Sequence, residues 1–239
     1  MRAFAAQYRT ELALSLRNGE QLLVNLFIPL GLLVFFSKVK VLNDGADPIQ
    51  FLAPAVLALA VMSSALVSLG ISTGFERFYG VLKRLGATPL GRPRWVAAKF
   101  ACVLTIELGQ WVVLIAVGLA LGWSPGSGWL PAVAGAVLGT AAFGGLSLLM
   151  AGTLGGMTNL AACNGLYLAL MVTGGMVVQF SKMPGPLQAV AKVLPAAPLA
   201  DVMIGSLQAG KHVHTGSWIV LAAWALITPV LAARLFNWD

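Results

Sequence analysis

The chain has 239 residues, of which 59% are hydrophobic and only 10% charged, with a mean hydropathy of +0.87. A soluble domain carries roughly 25% charged residues, so this composition excludes a soluble globular class and gives an integral membrane protein. The formal charge is +7, and in a membrane chain the position of the cations matters more than their number, so no nucleic-acid partner is implied.

No segment alternates polar and apolar residues as an outer-membrane strand does, so the spans are expected to be helices. Met1–Gly19 is too polar to cross a membrane. Phe4, Tyr8, Leu12 and Leu16 share one helical arc beside Arg2, Arg9 and Arg17, which predicts an interfacial helix over 1–20; a solvated terminus is the alternative. Span one is expected over Leu22–Leu42, with Pro29 inside and Lys38 and Lys40 at its far end. Asn43–Pro48 reads as an acidic turn. Span two covers Phe51–Gly74, where Ser63, Ser64, Ser68, Gly70 and Ser72 suit close helix packing.

Residues 75–95, FERFYGVLKRLGATPLGRPRW, are basic and amphipathic. At 100° per residue Phe75, Phe78, Val81, Leu82 and Leu85 share one face, with Glu76, Arg77, Lys83 and Arg84 on the opposite arc. Gly86, Pro89 and Pro93 are expected to end the helix. The segment is a surface helix with its charges outward, or an ordinary basic loop.

Span three is expected over Ala97–Leu121, and Gly122–Gly128 makes a turn flanked by Trp123 and Trp129, an interfacial pair. Span four covers Leu130–Leu154 and is rich in glycine; its Gly135–Gly139 pair has GxxxG spacing and favours packing within the chain. Span five covers Leu160–Phe180, with Asn159, Asn164 and Gln179 in or near it. Residues 181–217 hold Pro184, Pro186, Pro195 and Pro198 between apolar pieces too short to cross a core of about 30 Å, so they are expected as short external or re-entrant helices. Span six covers Trp218–Leu235, with the Phe236–Trp238 pair at the interface.

Six spans put both termini on one side. That side carries Arg2, Arg9, Arg17, Arg77, Lys83, Arg84, Arg92, Arg94, Lys99 and Arg234. The other carries Lys38, Lys40, Lys182, Lys192 and Lys211. The imbalance places both termini and the basic segment in the cytoplasm. The whole chain, 1–239, reads as one all-α transmembrane domain.

Signals for catalysis are absent: no metalloprotease helix, serine elbow, paired metal-spaced cysteines or phosphate-cradling loop occurs. Cys102 and Cys163 sit in apolar runs as buried thiols. His212 and His214 are two ligands without a third. Glu107 is the one ionisable residue well inside a span, about 12 Å beyond Lys99 at 1.5 Å per residue. It is a candidate contact for a cationic substrate or a proton relay, or a carboxyl that is protonated or bonded to a helix neighbour such as Gln110 or Thr105. No residue is assigned a catalytic or metal-binding role.

Several of these features form a pattern. Glu76, then Gly80, Leu82, Lys83 and Leu85, then Thr88–Pro89–Leu90 follow an E…G…L…L…TP order, with Lys99 at the start of span three. Leu194–Pro195 and the helix up to Gly210 follow an LP…G order. With six spans and an N-terminal amphipathic helix, the chain resembles the ABC-2 type transporter permeases, in particular bacterial drug-resistance permeases of the daunorubicin-exporter type. It departs from many of them in lacking an Arg within Val202–Leu207.

The resemblance implies a bacterial inner-membrane subunit of an ATP-driven exporter that moves a hydrophobic or amphiphilic compound, drug or lipid-like. It implies that the 75–95 loop is a coupling helix seated in a separate ATPase, with Phe75, Glu76, Arg77, Phe78, Gly80, Lys83, Arg84, Leu85 and Pro89 at the contact. ATP and Mg would be held by that partner, present in two copies, and this chain would bind no cofactor. A second permease copy or a related permease would complete the pathway, with Ser63, Ser64, Ser68, Glu107 and Asn164 as wall candidates. The competing class is a membrane scaffold that uses the basic loop to bind a partner.

Overall fold

The computed structural model describes residues 2–38, 48–177 and 184–237. Asn43–Asp47, Lys40, Gln179, Lys182 and Trp238 lie outside them, as do the last residues of the expected spans one and five. The described residues form helices joined by short turns: α1 Arg2–Arg17, α2 Gly19–Lys38, α3 Pro48–Met62, a π-helical segment Ser63–Ser68, α4 Leu69–Phe78, α5 Val81–Gly86, α6 Arg92–Ala120, α7 Trp129–Thr153, α8 Gly156–Thr173, α9 Gly185–Ala191, α10 Ala196–Leu207 and α11 Thr215–Leu235.

α3, the π segment and α4 run on as one 31-residue rod, Pro48–Phe78, which is the centre of the bundle. Every side chain from Phe51 to Leu66 on it is buried. A rod that is apolar all round must be enclosed by other helices. Here α2, α6, α7 and α10 surround it, with α8 against its π and α4 parts.

Where lipid is as apolar as leucine, helices are held by close packing of small residues, and α7 shows how. Its glycines are used inside the chain. A Cβ on Gly145 would lie 2.5 Å from both Pro229 N and Thr228 Oγ1 of α11, and one on Gly139 would lie 3.0 Å from Leu199 of α10. Gly135 faces Val202, so both halves of the GxxxG pair receive α10. Thr228 fixes the α7–α11 contact by donating to Ala142 O at 2.7 Å.

Among the described residues four helices are long and apolar enough to cross a bilayer: Pro48–Phe78, Arg92–Ala120, Trp129–Thr153 and Thr215–Leu235. A fifth span results if α9 and α10, bent by 90°, count as one. The six expected spans require α2 and α8, of 20 and 18 residues, to cross as well.

The 75–95 segment differs from expectation. Phe75–Phe78 is not part of a separate surface helix but the last turn of the central rod. The chain breaks at Tyr79–Gly80, where Gly80 takes a left-handed φ of 69°, a conformation open to glycine without steric cost. α5 is a fresh helix beyond that break. Pro93 does not stop a helix; it sits in the first turn of α6, where proline needs no amide partner, and span three starts at Arg92, earlier than expected. The apolar face of the segment is therefore not continuous. Leu82 is fully buried while Phe78 is 64% exposed.

Candidate functional site

At one end of the bundle α1, α4, α5, the start of α6, the end of α7 and the start of α8 converge. The convergence is organised by a buried cation. Lys99 on α6 is 2% exposed. Its ammonium donates to Glu11 Oε2 of α1 at 2.8 Å and to Glu76 Oε1 of α4. The second oxygen of Glu11 accepts from Gln7 Nε2 at 2.7 Å. The Trp95 ring lies 5.7 Å from the Lys99 ammonium, within range of a cation–π contact. A charge in so enclosed a place persists only when it is paired, so α1, α4 and α6 are tied at one point. Beside this clasp is a void of about 20 Å³ lined by Glu11, Ser15, Ser68, Ser72, Lys99 and Cys102, space for about one water.

Arg77 makes the next tie. Its Nη1 donates to Ala151 O at 3.2 Å and Leu154 O at 3.1 Å, satisfying carbonyls that the end of α7 leaves without helical partners. Cations are favoured at a helix C-terminus by its dipole. Asn159 of α8 is buried and donates Nδ2 to Gly70 O of α4 at 2.8 Å. Gly156 lets Phe78 approach the start of α8, where a Cβ would lie 3.2 Å from the Phe78 Cβ and Cγ. Glu76 and Arg77, expected on an outward polar arc, thus turn inward and bind α6 and α7. The projection that placed them outward assumed one helix through Gly80.

The outer part of the segment is exposed: Tyr79, Lys83, Arg84 and Gly86–Pro89 face away from the bundle. It is pinned at both ends by buried Leu82 and Leu90, with Phe75 and Leu85 half-buried. Thr88 Oγ1 donates to Leu85 O at 2.6 Å and Arg94 to Pro89 O at 3.3 Å, which shape the tip.

A second polar group lies deeper in the bundle. Ser63 of the π segment donates to Asn25 Oδ1 of α2 at 3.3 Å, and Ser64 to Gln110 Oε1 of α6 at 2.8 Å. Glu107 is 4% exposed and accepts from Thr140 of α7 at 2.7 Å. The partner is thus neither Gln110 nor Thr105; Thr105 pairs with Tyr8 of α1 at 2.9 Å. Of the wall candidates, Ser63 and Ser64 are adjacent in the π segment, and Glu107 lies three residues before the Ser64 partner Gln110 on α6 but bonds to α7 instead. Ser68 lines the void beside Lys99, and Asn164 stands apart on the exposed face of α8.

At the other end of the bundle Asp201 of α10 accepts from His214 N at 3.0 Å and Ser217 Oγ at 2.7 Å, and pairs with His214 Nδ1 at 2.9 Å. His214 is used to anchor α10 to the start of α11.

Sequence reading missed Glu11, Asn25 and the π segment. Glu11 had a signal: it is the one carboxylate of α1 and lies opposite the arginines, beside Phe4 at the edge of the apolar arc, and Lys99 is a lysine at the start of an apolar run. The π segment had none, because one extra residue per turn leaves composition unchanged.

A buried clasp and an exposed tip at one end of a helical bundle suit a subunit worked by a partner, and comparison with known proteins decides the class. Residues 2–207 match the ABC-2 type transporter family. The chain belongs to that family. It is also 27% identical over 212 residues to a Bacillus subtilis (strain 168) protein named "Putative transport permease YvfS", covering 82% of each chain. The ABC-2 chain is thus an integral membrane transport permease subunit, and the clasp, the tip and the deeper polar group are the parts of the permease that its geometry singles out.

Proposed function

We propose that the chain is the transmembrane half of an ATP-driven exporter with six spans, α2 and α8 included, and both termini in the cytoplasm. A separate ATPase, in two copies, holds ATP and Mg. A second permease copy or a related chain completes the path for a hydrophobic or amphiphilic compound, drug or lipid-like. Residues 79–90 are the surface the ATPase grips, and 75–78 carry its movement into the membrane.

The observation that supports this reading is the buried Lys99 bridge to Glu11 and Glu76. The exposed tip is short and uncompensated by a core of its own, so alone it would bend without consequence. Its inner end is tied by Lys99 to α1 and α6 and by Arg77 to α7. A push on the tip therefore moves several helices together. The π segment lies on the same rod as Glu76 and itself carries Ser63 and Ser64 of the deeper polar group, and such segments often mark functional positions. Bending there would alter the Ser63–Asn25 and Ser64–Gln110 pairs and so reach the middle of the membrane.

The test is co-purification of an affinity-tagged chain from its native host, as wild type and as Arg84→Glu with Thr88→Asp. Both positions are exposed, so the variant leaves the clasp in place. An ATP-binding subunit recovered with the wild type and lost with the variant upholds the reading. Recovery of no ATPase after mild crosslinking overturns it in favour of a membrane scaffold.

A further inference from the structure

The turn between α4 and α5 and the turn between α7 and α8 enclose a cleft of about 320 Å³, lined among others by Arg77, Phe78, Gly80, Lys83, Gly155 and Gly156. We propose that this cleft binds the phosphate of an anionic phospholipid from the adjoining leaflet.

Two cationic side chains line the cleft and no carboxylate does. Arg77 is held in place by its bonds to Ala151 O and Leu154 O, so its charge is fixed at the cleft wall. Lys83 reaches the cleft from α5 across Gly80. The remaining wall is largely glycine, which lets an oxyanion approach the backbone closely. Gly155 and Gly156 also begin the 18-residue α8, and no side chain caps that end. Its first amides, which lack helical partners, add donors to a site already set by the cations. Guanidinium, ammonium and backbone N–H together recognise phosphate.

The rim says which phosphate. Phe78 is 64% exposed and Met157, one residue into α8, is 69% exposed. Tyr79 stands beside Phe78 with the two rings edge to face at 5.2 Å. Aromatic residues of this kind mark the headgroup level, and basic pockets between spans at that level bind lipid headgroups. A free phosphate would leave the apolar rim unused. An acyl chain would lie along Met157 and the outward face of α8. The inference needs only the membrane setting of the chain and does not rest on the ATPase reading.

The test uses the full-length protein in nanodiscs containing phosphatidylglycerol and phosphatidylcholine in equal amounts, followed by detergent transfer and native mass spectrometry. The expected result is one phosphatidylglycerol retained per wild-type chain. Retention should fall about tenfold in Lys83→Glu, since each basic residue near the surface contributes substantially to anionic lipid binding. It should persist in Lys83→Arg and in the control Lys211→Glu at the opposite end. Equal retention of the two lipids, or unchanged retention in Lys83→Glu, overturns the proposal. Displacement of the lipid by excess inorganic phosphate but not by chloride at equal ionic strength would assign the same cations to a free anion and also overturn it. Loss of ATPase co-purification in Lys83→Glu with lipid retention intact would assign the cleft to the protein partner instead.

Discussion

Lys99 Nζ donates to Glu11 Oε2 at 2.8 Å across 88 residues of sequence, and the same ammonium reaches Glu76. One lysine thereby joins the N-terminal helix, the end of the central rod and the start of the next long helix. The arrangement ties the exposed tip between α4 and α6 to the N-terminal helix and to two helices, the central rod and α6, that are long enough to cross a bilayer.

Breaking the clasp by removing one member leaves buried charge without compensation. Lys99→Met is expected to lower stability by about 3–5 kcal/mol, measured by reversible unfolding in mixed micelles. The triple variant Lys99→Met, Glu11→Gln, Glu76→Gln removes all three charges and is expected to recover most of that loss. A triple variant no more stable than Lys99→Met would show that the charges do not form one unit.

Arg77 acts through geometry as well as charge. Its Nη1 alone meets two carbonyls at the end of α7, held there by a planar, always-charged guanidinium that differs from a lysine ammonium in reach and geometry. Arg77→Leu is expected to cost about 1.5–3 kcal/mol, the range for hydrogen bonds from charged groups, with Arg77→Lys intermediate. The same unfolding measurement checks both, and equal stability of wild type and Arg77→Leu would exclude a structural role for the contact.

The glycines of the bundle divide by what surrounds them. A Cβ at Gly145 meets Pro229 N and Thr228 Oγ1 at 2.5 Å, whereas one at Gly165 meets nothing within 4 Å. Gly145→Ala should destabilise the α7–α11 contact by about 1–3 kcal/mol, as overpacking does. Gly165→Ala should be neutral or stabilising by up to about 1 kcal/mol through helix propensity. Matching losses at both positions would contradict the packing described for α7.

The Ser64–Gln110 bond at 2.8 Å joins the π segment to α6. A double-mutant cycle of Ser64→Ala and Gln110→Leu is expected to return a coupling of about 0.6 kcal/mol, typical of hydrogen bonds between spans. Additive losses would mean that the two helices are held independently there.

Much of the architecture was legible in the sequence because it depends on quantities that sequence carries directly. Long apolar runs gave the central rod, α6, α7 and α11. Glycine spacing gave the packing role of Gly135 and Gly139, since a missing side chain in an apolar helix has few uses other than close approach. The proline cluster gave the broken α9–α10 pair. The clasp was not legible. Glu76 and Arg77 were projected onto an outward arc by carrying one helical period through Gly80, and the left-handed turn there resets the phase. Glu11 pairs with a residue remote in sequence, and no local pattern encodes such a contact. The π segment changes register without changing composition, and Ser63 and Ser64 read as packing residues when they also carry bonds to Asn25 and Gln110.

Contact of residues 79–90 with an ATPase is what the proposed function turns on. Photo-crosslinking tests it most directly, with a benzophenone amino acid placed singly at Tyr79, Arg84 or Thr88 in the native host and at Asn164 as a membrane-facing control. The account expects ultraviolet-dependent adducts to one ATP-binding protein from Arg84 and Thr88, and none to that protein from Asn164. Absence of any such adduct from all three tip positions in a folded, membrane-inserted chain would contradict it.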